Sequence, residues 1–369
     1  MFRLKTALVL ALVATLLLFS SLLTSGLADG GANHQRRNQH FGVSGGNVND
    51  ASRSFCCSGT LGSLVTIGGT QYILSNNHVL ARGDQAVAGE DVSQPGLIDN
   101  SCRIATIVAD FTAAAPLGSN VDAAVAQLRA GQMDSTGFIE DIGVPSGTIV
   151  NPSVGLGVAK SGRTTGFTTG TISSINTSVS VQYQRGCNNG KKFTVSYTNQ
   201  VVINSSTFSA GGDSGSLIVT NNASHNPVAL LFAGSSTSTI GNPIGEVLTK
   251  LSTALGSAVS FSGTGGGNPN PKGRQADERQ PFIPGLEGLM PQLPQQAADR
   301  ATAVLDVHRA NLMFQPGVIG AGVGLSGRVD GEASIVIYVN KNAAQTPFLP
   351  DNIEGIPVTV ILTDEFIAR

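Results

Sequence analysis

The sequence predicts an all-β protein that closes with a helix and carries a smaller α+β part beyond a linker. Three observations predict this. The chain of 369 residues has 46 glycines, no tryptophan and only 12% charged residues, against about 25% charged in an ordinary globular chain. Together with many Ser, Thr and Val, this composition suits strands joined by tight turns. Short apolar or alternating runs recur between Gly and Asn punctuation. At residues 242–255 the period changes, and Ile244, Val247, Leu248, Leu251 and Leu255 fall on one helical face. The formal net charge of −2 points to neither nucleic acid nor an anionic membrane as partner.

Residues 1–28 read as a signal peptide. Arg3 and Lys5 give a basic start, residues 6–23 an apolar run, and Gly26-Leu27-Ala28 small residues at a cleavage point. The run is long enough that an uncleaved anchor is the alternative. Either way the bulk of the chain is expected outside the cytoplasm, secreted or in the periplasm or cell envelope. Residues 29–54 are polar, rich in Gly, Asn and Arg, and without period, which predicts a flexible arm. Cys56, Cys57, Cys102 and Cys187 are an even set in an exported chain, with three possible full pairings. Adjacent Cys56 and Cys57 do not suit a bond to each other. No Cys-x-x-Cys or histidine cluster suggests a metal.

Residues 60–67 read as a strand, Gly68-Gly69 as a hairpin turn, and residues 71–75 as the returning strand. The apolar run YILSNNHVL, residues 72–80, is strand-like around His78. Residues 103–108 and 121–128 are further strands, and 144–152 a connection. A second set begins near Val154. It takes in 161–172, 179–183, 193–203 around the turn at 186–190, 216–220 and 228–233. In 161–172, Arg163 suits a turn-supporting donor better than a substrate-binding group. Residues 263–296 turn Gly/Pro/Asn-rich and then proline-punctuated, which predicts a linker. Beyond it lie a helical face (Ala298, Ala301, Val304, Leu305, His308, Leu312), a hairpin across Asp330-Gly331, and a third strand at 356–362.

The chemistry-bearing stretch is TFSAGGDSGSL, residues 207–217. A serine hydroxyl is a poor nucleophile and needs a base and a place for the negative charge it creates. Glycines beside Ser214 let the backbone turn tightly, so that the N–H groups of Gly212 and Ser214 would form an oxyanion hole. Of His34, His40, His78, His225 and His308, only His78 closes an apolar run. Among the carboxylates between them, Asp122 stands out in VDAAVAQL, where a buried carboxylate needs a partner. Asp99 and Asp110 are weaker candidates.

The stretches LSNNHVL, NVDAAVA and GGDSGSL, in the order His, Asp, Ser, resemble the trypsin-like serine proteases of the chymotrypsin fold. GTLGSLV, SGRTTGFTTGTI and LLFAGSSTSTIGNPI resemble a bacterial and plant branch of that family. The resemblance covers residues 59–260. It implies two six-stranded antiparallel β-barrels of chymotrypsin type with a closing helix. It also implies His78 as general base, Asp122 as its orienting partner and Ser214 as nucleophile. Asn76-Asn77 before the histidine and Ser216 after the motif depart from the family pattern without removing a catalytic group. By the same resemblance, Phe208, six residues before the nucleophile, would lie at the base of the primary pocket and favour an apolar or small side chain. Gly234, Ser235 and Ser236 would border the substrate cleft.

The resulting organisation is a signal peptide (1–28), a flexible polar arm (29–54), a trypsin-like protease domain (55–262), a linker (263–296) and a small α+β accessory domain (297–369). The expected function is that of an exported serine endopeptidase acting on protein or peptide substrates. It needs no cofactor and no metal, takes no nucleic acid as partner, and has no membrane contact beyond the leader. The competing reading is a peptide-binding or scaffold protein that keeps the fold without turnover. The C-terminal part could also contact the protease part within the chain and hold it latent.

Overall fold

The computed structural model describes residues 33–187, 190–263, 292–345 and 347–368. The expected leader and most of the expected linker lie outside them. The described chain is mostly β and builds two large antiparallel-rich sheets.

The first sheet draws on β1 (Val43–Asn47), β2 (Gly59–Leu61), β3 (Ser63–Ile67), β4 (Thr70–Ser75), β5 (Asp91–Gln94), β6 (Thr106–Ala115) and β7 (Ala123–Leu128). From far along the chain, β15 (Val259–Ser260) returns to pair with β3. The strand order is β15-β3-β4-β7-β6-β5-β1-β2. The predicted hairpin is present, with Ile67 opposite Thr70 and both Gly68 and Gly69 at positive φ, as a two-residue turn between twisted strands requires. Leu61, Ile73, Leu74, Val92, Val108 and Val125 are fully buried between the strands.

Two expectations are corrected here. The arm predicted over 29–54 is not flexible from Asn33 onward. β1 pairs with both β2 and β5, Phe41 is fully buried, and buried His34 holds the Gly42 carbonyl. The strand-like run around His78 breaks after Ser75 into the short helix α1 (Asn77–Leu80). The Asn77 side chain donates to the Ala115 carbonyl and to Asp84, which draws the backbone off the strand path.

The second sheet contains β8 (Gly157–Gly162), β9 (Gly166–Thr171), β10 (Ser174–Gln184), β11 (Lys192–Asn204), β12 (Leu217–Thr220), β13 (Pro227–Gly234) and β14 (Ser238–Pro243). Helix α2 (Ile244–Leu255) follows and carries Ile244, Val247 and Leu251 into the core of the first sheet, as its sequence period predicts. Beyond the linker come helix α3 (Gln295–Met313), β16 (Val318–Leu325), β17 (Ala333–Asn340), β18 (Asn352–Ile353), β19 (Ile356–Thr363) and β20 (Phe366–Ala368). Helix α3 buries Ala298, Ala301, Leu305 and Leu312 against β16 and β17.

The C-terminal part has the expected α+β make-up, but it is not set apart. β16 pairs with β10, Ser174 opposite Gly324 and Val179 opposite Gly320. The second sheet therefore runs β18-β19-β17-β16-β10-β11-β14-β13-β12-β8-β9. That joining, and β1 and β15 in the first sheet, enlarge the sheets beyond the six strands expected of each barrel, and β8–β14 are themselves seven strands. The physical reason is edge satisfaction. β11 takes one side of β10, and the N–H and C=O groups on the other side need a partner where they are covered.

Two disulfides fix the outer loops. Cys56 bonds Cys102, and Cys57 bonds Cys187, so the adjacent cysteines each reach elsewhere. The second bridge ties the first sheet to the turn between β10 and β11.

Candidate active site

His78 and Asp122 are brought together where β4 ends and β7 begins. Asn76 Nδ2 donates to the Asp122 carbonyl at 2.7 Å, which pins the two segments. His78 Nδ1 then lies 2.6 Å from Asp122 Oδ2, and the His78 backbone N–H donates to Asp122 Oδ1 at 3.1 Å. A carboxylate only accepts, so Nδ1 carries the proton and Nε2 is the basic nitrogen of the neutral ring. The imidazole keeps 18% exposure while the carboxylate is fully buried.

Asp122 has further support that arrives from the second sheet. Tyr183 Oη donates to Asp122 Oδ2 at 2.8 Å, and Tyr197 Oη lies 2.6 Å from Tyr183 Oη. Tyr183 has spent its one proton on the carboxylate, so Tyr197 is the donor of that pair. Burial, with the Asp122 charge beside it, pushes the Tyr183 hydroxyl well above the usual tyrosine range. Its proton therefore stays on to donate. Asn242 Oδ1 accepts the Asp122 backbone N–H at 2.9 Å, and Asn242 Nδ2 donates to Gln200.

Ser214 sits in the turn before β12, fully buried. Its hydroxyl donates to the Phe232 carbonyl at 3.3 Å, and its carbonyl accepts the Thr60 N–H at 2.8 Å. The flanking glycines are required here. Gly212 and Gly215 have φ of +100° and +95°. A Cβ on Gly212 would meet Thr164 and Arg163, and one on Gly215 would meet Ser75 and the Thr60 carbonyl.

The loop is held in shape by Asp213. Its carboxylate accepts from Thr164 N–H at 2.8 Å, Thr165 N–H at 3.2 Å, Thr165 Oγ1 at 2.7 Å and Ala210 N–H at 2.9 Å. Lys160 Nζ lies 3.5 Å from Asp213 Oδ2, and both side chains are fully buried. The ammonium also donates to the Gly166 carbonyl at 2.9 Å. Burial lowers the Lys160 pKa to about 8, against the opposing pull of the Asp213 charge.

The other candidates fall elsewhere. Arg163 forks onto Asp99, with both N–O distances 2.6 Å, so it is a structural donor and Asp99 is its partner rather than that of His78. Asp110 pairs with exposed Arg129. Phe208 is fully buried with Val158, Ile172, Ile203 and Ile218, and its ring packs over Gly170. It belongs to the core of the second sheet rather than to an open pocket floor. Gly234 pairs with Ile367 of β20, and Ser235 Oγ lies 2.5 Å from Thr363 Oγ1. His40 pairs with Glu140 and His308 with Glu354. Among the described residues no group of three or more His, Cys, Asp or Glu side chains is placed to hold a metal ion.

Sequence reasoning missed Lys160, Tyr183, Tyr197 and Asn242. Lys160 had a signal: it is a lone charge in the apolar, glycine-rich strand GLGVAKSG, in a chain poor in charge. The tyrosines and Asn242 had none, because strand pairing brings them to Asp122 from far along the chain.

Residues 84–242 match the model of peptidase family S64. Solved structures to which the chain is similar include a glutamic acid specific serine protease described as using a histidine triad in substrate binding. It is 21% identical, with 60% of this chain and 98% of that chain covered and a TM-score of 0.42. Protease A of Thermobifida fusca is 18% identical, with coverages of 61% and 99% and a TM-score of 0.40. The chymotrypsin of Cellulomonas bogoriensis is 17% identical, with 61% and 99% covered and a TM-score of 0.40. No curated protein matches the chain. The chain thus resembles the trypsin-like serine proteases in its match to a peptidase family and in its mostly β architecture.

Proposed function

We propose that the protein is an exported serine endopeptidase with Ser214 as nucleophile, His78 as general base and Asp122 as the group that orients it. Ser214 Oγ attacks the scissile carbonyl of a peptide bond while His78 Nε2 takes the hydroxyl proton. The tetrahedral oxyanion is met by the N–H groups of Gly212 and Ser214. The amine leaves with the proton returned by His78, and an acyl-enzyme on Ser214 remains. Water, deprotonated by the same imidazole, releases the acyl group and restores the serine. Asp122 stays ionised throughout and holds the imidazolium.

The observation that carries this reading is the 2.6 Å contact between His78 Nδ1 and a fully buried carboxylate. A buried charge placed against an imidazole that keeps solvent access costs desolvation with no return to stability that an apolar pair would not give. It does fix the tautomer a general base needs. The glycine-flanked Ser214 loop and the match to a peptidase family support the same reading. The two disulfides support an oxidising compartment, hence export. Among the described residues no helix is long and apolar enough to cross a membrane.

Hydrolysis of an unfolded protein substrate, followed as acid-soluble peptide, tests the proposal. The full-length protein is expected to release peptides and the S214A protein to lose that activity by roughly four or more orders of magnitude. Equal release from both would refute it.

A further inference from the structure

Strand β20 lies off the main path of the second sheet and pairs with β10 and β13. Its residues lie in a slot between two other strands. On one side it runs parallel to β10, Phe366 beside Val181 and Ile367 beside Gln182. On the other it runs antiparallel to the end of β13, Ile367 opposite Gly234 and Ala368 opposite Ala233. The antiparallel direction matters. β20 advances from Gly234 to Ala233, toward Phe232, whose carbonyl accepts the Ser214 hydroxyl. The segment therefore approaches the candidate nucleophile along the edge expected to border a substrate cleft.

Side chains in the slot alternate as they do in an extended strand. Phe366 is 1% exposed and packs with Val179, Val181, Phe232 and Tyr338. Ile367 is 47% exposed and points away. The residues just before β20 are tethered to the rim beyond β13. Thr363 Oγ1 lies 2.5 Å from Ser235 Oγ and 2.8 Å from Thr237 Oγ1, and Asp364 accepts from Ser236.

We propose that the chain's own Phe366–Ala368 occupies, in the manner of a bound peptide, the slot between Val181–Gln182 and Ala233–Gly234, the edge that the family resemblance gives to the substrate cleft. The proposal rests on the peptidase reading above and deepens it in two ways. The slot takes an extended peptide by strand addition on both sides, with a large apolar side chain in the place of Phe366. The protein with β20 seated is closed to other peptides, so substrate enters only as β20 leaves.

The test uses the full-length chain and two substitutions in it. Ile367→Pro removes a backbone donor in the slot while its side chain is half exposed, so no core is lost. Phe366→Ala empties the apolar position. Binding of a fluorescein-tagged peptide with the sequence of residues 364–368 is read by anisotropy, and labelling of Ser214 by a fluorophosphonate probe is read as a rate. Thermal melts confirm that each variant is folded. The expected result is peptide binding to the two variants at least fivefold tighter than to the unsubstituted protein. Labelling should be about fivefold faster in Ile367→Pro, the change that one hydrogen bond's worth of stability produces. Binding to all three proteins alike, or to none, overturns the proposal. Failure of the probe to label Ser214 in any of them overturns the peptidase reading instead, and the anisotropy still decides whether β20 fills the slot.

Discussion

Asp122 and Asp213 are both fully buried aspartates, and the regions around them solve the same problem in different ways. Asp122 is met by a titratable, partly exposed imidazole and by neutral donors, Tyr183 and the His78 backbone N–H. Asp213 is met by a lysine as buried as itself and by donors from its own and the neighbouring loop. The first arrangement leaves a proton that can move. The second is closed to solvent and fixes a backbone shape. In the proposed reading the first carboxylate serves proton transfer, whereas the second holds the loop that carries Ser214 in shape.

Three substitutions would break or sharpen this contrast. The largest effect is expected at Asp122. Asp122→Asn keeps the shape but asks the imidazole for the other tautomer, and kcat is expected to fall by roughly four orders of magnitude with little loss of stability. Steady-state kinetics beside a thermal melt would show it. A fall in stability as large as the fall in rate would make Asp122 no different in kind from Asp213.

At Asp213 the balance should reverse. Lys160→Met leaves a buried charge without its cation, and unfolding free energy is expected to fall by roughly 3 kcal/mol, the low end for a broken buried pair. The carboxylate keeps its N–H and O–H donors, which is why the low end applies. The lysine also sets a pH signature. Its folded pKa of about 8 lies below the 10.5 of the exposed group, so between those values the unfolded chain binds more protons than the folded one. Stability contributed by this group therefore rises across that window and is flat below it. Denaturant melts should show the gap between the unsubstituted protein and Lys160→Met widening from about pH 8 to about pH 10, and constant below.

The smallest effect is expected from Tyr183→Phe, which removes one of the donors to Asp122 and leaves the ring. A hydrogen bond to a charged group contributes roughly 1.5–3 kcal/mol, so kcat/KM should fall about tenfold. Unchanged kcat/KM with lower stability would make Tyr183 a packing residue only.

The His78–Asp122 contact and the glycine turn at Ser214 were legible because each residue lies in a short stretch whose chemistry is local: an apolar run, a small-residue run, a glycine turn. Tyr183 and Asn242 were not legible because their roles come from pairing across the second sheet, and Lys160 showed only as a lone charge in an apolar strand, without its partner. β1 was misread for a related reason. Its sequence VSGGN reads as loop, yet glycine is what lets the strand lie close, since a Cβ on Gly45 would run into Leu61. Phe208 was placed by counting back from the nucleophile, and counting cannot show that the ring turns into the core. The helix and strands of the C-terminal part were read from their periods. Their attachment to β10 was not, because an unpaired strand edge carries no mark in side-chain pattern.

The most direct test of the central claim is covalent labelling of the full-length protein by a fluorophosphonate probe, mapped to the modified residue. Labelling at Ser214 that is lost in the His78→Ala protein, with the fold intact by circular dichroism, is the predicted result. Labelling at Ser214 that persists without His78, or no labelling of Ser214 even when β20 is displaced by Ile367→Pro, would contradict an activated serine at this site.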